Sequence, residues 1–420
     1  MPTLPTPGAP IDGKEGGPAF EPLSRLEIIG QLRAQLSDIM PDAETMWSTQ
    51  QSPAGETREP ASRPDSPRAR RLQLAAAGRN PPAFRGHLSL DPAEAYALLS
   101  ERFLELGYTP LFRSQQGFDY VIALPHVFKS QDGAARSPRH WVPNLILLLL
   151  TLVTTTLMGA VLEQGPLLLD NPLLLLETPR LILTGIPASL TIMSILGIHE
   201  LGHYFVARRH GLETTLPYFI PVPFGFGTFG ALIRIRTPWE NRKALFDVGL
   251  AGPLAGLVVA LPLFFIGLML SPHQPPLPDS TTLGSPLLLQ GIERIVYALR
   301  GIPPGHEIYV NAMTFAAWFG LVVTGFNLLP AGQLDGGHVA YAVLGRWGKM
   351  VAAAVMVGLV GLGLLMWRSL LFWAAFIFIS GWQHPAPLNA LEPLGRKRTL
   401  IGLLVFVLTA LLFTPSPFAI

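Results

Sequence analysis

The sequence predicts a polytopic α-helical membrane protein with about seven spanning helices and a re-entrant β-hairpin, preceded by a small N-terminal α/β cytoplasmic module. Three observations carry that expectation. Of 420 residues, 49% are hydrophobic and only 14% charged, a balance too apolar for an ordinary soluble chain. After Trp141 several apolar runs reach the roughly 18 residues that a helix needs to cross a bilayer. Before Trp141 the pattern is different: short amphipathic elements alternate with Pro-, Ser- and Arg-rich stretches. A formal net charge of +2 is too near balance to suggest nucleic acid as a partner. The absence of cysteine removes disulfides, iron–sulfur clusters and thiolate metal sites.

Residues 1–21 are rich in Pro and Gly and are expected to be disordered. They contain no basic region followed by an apolar core, and no arginine, so they read as neither a cleaved signal nor a transit peptide. Residues 22–40 place Leu26, Ile29, Leu32, Leu36 and Ile39 on one face of an amphipathic helix. Residues 41–82 read as a linker, in which the basic run at 68–71 is a solvated charge cluster rather than a lipid contact. Residues 83–128 predict a β-α-β-β module. A strand begins near Phe84, and Asp91 then caps a helix with Pro92 at its first position and Glu94 reaching back. Tyr108–Arg113 and Phe118–Leu124 form a hairpin. This module shows no catalytic constellation and reads as a packed recognition or regulatory unit.

Spanning segments are expected at about 141–162, 187–208, 244–270, 308–329, 348–366, 369–383 and 398–414. Basic residues such as Arg208, Arg209, Arg242, Lys243, Arg396 and Lys397 fall on one side, while Glu163, Asp170, Glu177 and Asp279 fall on the other. That asymmetry places the N-terminal module in the cytoplasm and the C-terminus outside. Residues 213–240 mix prolines, glycines and aromatics, so no spanning helix fits there. The stretch 229–236 alternates towards its end and predicts a strand. In a re-entrant hairpin, Phe229, Gly230, Ile233 and Ile235 would be the residues to pair with an extended peptide; the alternative is an interfacial loop anchored by its aromatics.

The chemistry is concentrated in "GIHELGHYFVARRHG", residues 197–211. His199 and His203, four apart, emerge from one helix face and could share a divalent ion, with Glu200 just outside the pair. The pattern H-E-x-x-H is that of metal-assisted peptide hydrolysis. Its alternative, a pair of core histidines, weakens inside a membrane helix, where ionisable groups are costly. Helical rise from the basic boundary at Arg208 puts the pair about 7–14 Å below the surface. A catalytic zinc needs a third protein ligand, and the candidate is Asp335, beside Gly336 and Gly337 in "FNLLPAGQLDGGHVAY", residues 326–341. Asp335 could instead cap the helix that follows. Asn327 offers an amide donor for a developing oxyanion, or else an interhelical hydrogen bond. Asp247 and the Gly249–Gly252–Gly256 series favour close helix packing over a place in the site, and His384 reads as a loop cap.

H-E-x-x-H in one spanning helix, with N-x-x-P-x-x-x-L-D-G-G in another far downstream, resembles the site-2 protease family of intramembrane zinc metalloproteases. The stretches 217–238, 246–256 and 384–398 extend the resemblance over about residues 180–415. It is nearest the branch of plant plastids, cyanobacteria and other prokaryotes that lacks PDZ and CBS modules: 271–307 is too short for a PDZ module, and no CBS pair follows the last span. The resemblance implies that 141–414 is an intramembrane metalloprotease domain. It further implies zinc held by His199, His203 and Asp335, Glu200 as general base, and Asn327 near the scissile carbonyl. The substrates so implied are transmembrane segments of membrane-anchored proteins in a lipid bilayer, selected through the N-terminal module. The expected placement is a multi-pass protein of a prokaryotic cell membrane. A catalytically silent zinc-binding protein or a metal transporter is the alternative, although a transporter has no use for a complete general-base motif.

Overall fold

The computed structural model describes residues 25–46, 81–125, 141–171, 174–276, 282–381, 384, 386–413 and 418–419. The disorder expected for 1–21, the basic run at 68–71 with most of the 41–82 linker, and residues 126–128 of the N-terminal module lie outside them. The chain divides into two compact units, Met1–Val127 and Phe128–Ile420.

In the first unit, helix α1 (Arg25–Leu36) is followed by β1 (Glu44–Met46), β2 (Ala83–Gly86), α2 (Pro92–Glu105), β3 (Tyr108–Gln115) and β4 (Phe118–Pro125). The strands form an antiparallel sheet in the order β1-β2-β4-β3. Helix α2 starts where Asp91 accepts a hydrogen bond from the Ala93 N–H at 2.9 Å, with Pro92 in the first turn. Its Ala95, Leu99 and Phe103 recur every fourth residue and are buried, against a sheet that buries Phe84, Phe112, Val121 and Ala123. The face of α1 is completed by Ile29, Leu32 and Leu36, and beyond it by Ile39 and Met40. Arg102 of α2 forks onto Asp38 at 2.7 and 2.9 Å, which holds that carboxyl below the usual carboxylate range.

Three expectations are corrected here. Leu26 is exposed, because the buried stripe of α1 begins one turn later, at Ile29. Residues 44–46 are not linker but an edge strand paired with β2, through Glu44↔Arg85 and Met46↔Ala83; three residues are too few for alternation to reveal. The strand expected from Phe84 ends at Gly86, where a side chain would meet Asp42 at 2.6 Å and where His87 N–H bonds the Asp42 carboxylate instead.

The second unit holds α3 (Val142–Gln164), α4 (Ile186–Arg209), β5 (Tyr218–Pro221), β6 (Thr228–Leu232), α5 (Arg242–Leu270), α6 (Leu287–Arg300), α7 (Ala312–Asn327), α8 (Asp335–Leu344), α9 (Gly348–Leu365), α10 (Ser369–Gly381) and α11 (Arg396–Leu412). It is built as a membrane protein. Among the described residues, four helical stretches, Val142–Gln164, Pro179–Arg209, Arg242–Leu270 and Asp335–Leu365, are long and apolar enough to cross a bilayer. Ala312–Asn327 is apolar but has 16 residues, about 24 Å of rise against a core of about 30 Å. The 271–307 stretch, between the expected third and fourth spans, contains α6, which buries Leu289 and Val296 and exposes Leu287, Ile295 and Leu299.

Two contacts set the frame around α5. Asp247 turns away from the helix interior and takes a fork from Arg398 at 2.7 and 2.8 Å, with His210 at 3.0 Å. Arg242 donates to the Ala342 carbonyl at the C-terminal end of α8, at 3.0 Å, where the helix dipole favours a cation. Strands β5 and β6 pair antiparallel, Tyr218 with Leu232 and Phe219 with Ala231. Their turn packs between two helices: Thr154, midway along α3, donates to Gly227 O at 2.7 Å, and Phe226 stacks on Phe319 of α7 with centroids 3.9 Å apart. Gly227, at φ +81, has no room for a side chain against the α3 backbone.

The packing of α1 yields a test. Leu32→Ala should lower the stability of the first unit by about 2–5 kcal/mol, the usual loss for a buried leucine. Hydrogen exchange on the full chain should show faster exchange across the first unit, α2, β3 and β4 included, and none in the second. Unchanged protection in the first unit would mean that α1 is not part of the folding unit.

Candidate metal centre

Helix α4 carries His199, Glu200 and His203 on its buried surface; all three side chains are less than a tenth exposed. The imidazoles have room because α5 presents glycine where they point. A side chain at Gly252 would overlap the His203 ring, and one at Gly256 would stand 3.2 Å from His199 Nδ1. Packing is the correct reading of this glycine series, and its purpose is to make space for the histidines. His203 Nδ1 lies 2.7 Å from the Val248 carbonyl of α5. That nitrogen therefore carries the proton and donates, leaving the Nε2 lone pair free to face the centre.

Asp335 arrives from the other side. After α7 ends at Asn327 the chain reverses through Pro330 and Gly332, the latter at φ +60, and restarts as α8. Gly336 and Gly337 lie hard against the carbonyls of Leu328 and Gly332, contacts that exclude a Cβ. Asp335 is the first residue of α8 and does not occupy the cap, which is Leu334. Its Oδ2 lies 3.3 Å from His199 Nε2 and its Oδ1 3.3 Å from His203 Nε2, and the two Nε2 atoms are 3.1 Å apart. Each imidazole thus faces a different oxygen of the same carboxylate, and two nitrogen donors and one carboxylate are the kind of donor set that binds zinc. His199, His203 and Asp335 are thus a group that could hold zinc.

A cavity of about 280 Å³ opens on this group. Its walls include Glu200, Ile233, Ile235 and Asn327 beside the three donors. The backbone N–H of Ile233 faces the Glu200 carboxylate. The structure thus gathers Ile233 and Ile235 at the site, but outside the regular strand: β6 ends at Leu232, and 233–236 continues only through irregular pairing with 213–215, such as Arg236 N–H to Glu213 O at 2.8 Å. Phe229 is 70% exposed and stands edge-on to Phe224, and Gly230, at φ +103, lies with it outside the cavity wall. His384 packs edge-on against His338, ring centroids 4.6 Å apart, and is not among the donors. His338 lines the cavity and was not singled out from the sequence. Its position three residues beyond Asp335, on the same helix face, was the available signal.

Comparison with known proteins agrees with this geometry. Residues 187–367 match the family model Peptidase family M50. The chain is similar to the probable zinc metalloprotease EGY2, chloroplastic, of Arabidopsis thaliana, 29% identical over 343 residues, which cover 80% of this chain and 60% of the relative. It is 31% identical to EGY2 of Oryza sativa subsp. indica over 63% of this chain and 49% of the relative. To EGY1 of Arabidopsis thaliana it is 30% identical over 54% of this chain and 43% of the relative. The chain thus spans about half of the length of these relatives. All three are named as chloroplastic, which runs against the expectation of a prokaryotic cell membrane.

Metal analysis of purified protein tests the donor set. Zinc should be present at one per chain in the unaltered protein and in Glu200→Gln, and lost in His199→Ala, His203→Ala and Asp335→Ala. Gly252→Val should lose it too, since the new side chain displaces the His203 ring. Full zinc in Asp335→Ala would remove that residue from the set.

Proposed function

Because residues 187–367 carry a peptidase family M50 domain homologous to the EGY zinc metalloproteases, we propose that this chain is an intramembrane zinc endopeptidase that cleaves transmembrane segments of membrane-anchored proteins. The observation that carries the proposal is the placing of Glu200 in one cavity with His199, His203 and Asp335, within a unit of membrane-length helices. Zinc held by those three residues would acidify a water and polarise a peptide carbonyl. The steps that belong to the chain follow from its side chains. Glu200 takes the proton of the attacking water and returns it to the leaving nitrogen. Asn327 donates to the carbonyl oxygen as it gains charge. The 325–338 segment, polar and irregular at the end of α7, lines the path by which water reaches the cavity.

The substrate must present an unwound peptide, since a helical carbonyl is already hydrogen-bonded. The β5–β6 hairpin is the re-entrant element that receives it. Its turn packs against the middle of α3, and Leu232, Ile233 and Ile235 lead into the cavity. Pairing with this edge compensates the backbone groups that unwinding exposes. Basic residues on the 208–209, 242–243 and 396–398 segments support a site near the cytoplasmic or equivalent face, and selecting substrates is the task proposed for the N-terminal unit. The similarity to EGY2 of Arabidopsis thaliana covers more of the chain than the membrane unit alone contains, so it extends into that N-terminal unit. A silent zinc-binding protein or a metal transporter would need the same three donors, but would give Glu200 no task.

Two measurements follow. In a proteolysis assay with a membrane-anchored reporter in lipid, Glu200→Gln should abolish cleavage while keeping zinc, and Asn327→Ala should lower turnover by roughly a hundredfold. Cleavage by Glu200→Gln at the unaltered rate would defeat the protease reading. Since the chain has no cysteine of its own, single cysteines report topology cleanly. Those at 128–138 and 386–396 should label from one face of the membrane, and those at 164–178 and 272–276 from the other. Labelling of both sets from the same face would overturn the arrangement.

A further inference from the structure

Among the polar side chains around the cavity, His338 has no assigned task. It is held in place on three sides. Gly249 of α5 leaves the space for it, since a Cβ there would stand 2.7 Å from His338 Cβ. The Trp239 ring lies across it with centroids 5.4 Å apart, and the His384 ring stands edge-on at 4.6 Å. Its Nδ1 is buried without a hydrogen-bond partner among the described residues, whereas Nε2 is not among the buried unpaired atoms. A buried polar atom without a partner is rare and calls for a reason. Packing alone does not supply one, because an apolar ring would fill the same space without that cost.

The orphaned nitrogen decides where the proton sits. A buried N–H with no acceptor is much rarer than a buried acceptor with no donor. The neutral ring therefore keeps Nδ1 bare and carries its hydrogen on Nε2, the nitrogen left to meet the cavity that His338 lines together with His199, Glu200, His203, Asn327 and Asp335. This is a fixed, neutral donor on the wall of a partly enclosed cavity, where a preorganised group of this kind is worth more than in open water.

We propose that His338 is a further catalytic residue of the protease reading on which this inference rests: its Nε2–H donates a hydrogen bond to the scissile carbonyl oxygen as negative charge develops there, beside the donor supplied by Asn327. No covalent step passes through His338, and its proton stays on the ring throughout. The three zinc donors do not include it, so its removal leaves metal binding intact.

The test compares His338→Phe, which keeps a ring and loses the donor, with His338→Gln, which keeps a donor. The probe is a synthetic leucine-rich transmembrane peptide with a central Gly-Pro pair and a fluorophore–quencher couple, presented to the full zinc-loaded chain in lipid. His338→Phe should lower kcat by roughly a hundredfold, the usual effect of losing one such donor, with KM within about twofold and zinc content unchanged. His338→Gln should recover at least tenfold of that loss. A phosphinic peptide, which mimics the charged tetrahedral centre, should bind His338→Phe more weakly by a factor similar to the fall in kcat; this readout needs no turnover. Normal kcat and normal phosphinate affinity in His338→Phe would overturn the proposal, as would equal impairment of both variants with loss of zinc. Failure of the protease reading itself has a different signature, cleavage that survives Glu200→Gln.

Discussion

The approach of α5 to α4 is the constraint on which the centre depends. Two imidazoles at His199 and His203 must fit between packed helices, and the neighbouring surface can accept them only where it has no side chains. Gly252 and Gly256 provide that surface, and Gly249 does the same for His338 one turn away. The Val248 carbonyl, one residue before Gly249, orients His203 by accepting its Nδ1–H. Close packing and ligand geometry are here one requirement: α5 cannot come nearer without striking the rings, and it cannot move away without losing the hydrogen bond that holds one of them.

The second half of the centre depends on a break in the helical pattern. Asp335 reaches the histidines because α7 stops at Asn327, the chain folds back on itself, and α8 begins with the aspartate in its first turn. Gly336 and Gly337 are pressed against carbonyls of that reversal, so a Cβ at either would force the start of α8 off it. A carboxylate beside two imidazoles in an apolar surrounding is expensive, at several kcal/mol for an unpaired charge in a bilayer. A divalent cation offsets that cost. The same broken segment gives the cavity its polar wall, since irregular backbone at such depth has to face water or polar partners.

Outside the centre, ion pairs and main-chain contacts fasten the helix ends. Arg398 and His210 share Asp247, Lys243 meets the buried Glu392 at 2.7 Å, and Arg242 closes the end of α8. Residues 388 and 389 add main-chain bonds to 239 and 240 at 2.8 and 2.6 Å. These contacts join the starts of α5 and α11 where basic residues gather, so the same charges secure the helices around the site.

Much of this was legible in the sequence, because the signals are local. Apolar runs mark helices, Asp91 followed by Pro92 marks the start of α2, and a spacing of four puts His199 and His203 on one face whatever the rest of the chain does. The motif at 327–337 named Asp335 and Asn327 through resemblance. What the sequence could not determine is what depends on distant partners. The task of Gly252 is invisible without the ring that fills its empty side. Asp247 shows its turn away from the cavity only when Arg398, 151 residues later, is seen to hold it. The end of β6 at Leu232 follows from irregular pairing with 213–215, not from any change in the alternating pattern. Residues 44–46 become a strand because β2 supplies a partner, and His338 became a candidate only once its Nδ1 was seen to be buried and alone. Local periodicity sets which face a residue occupies. Which groups meet across that face is decided by close packing between segments far apart in the chain, and only the tertiary structure contains it.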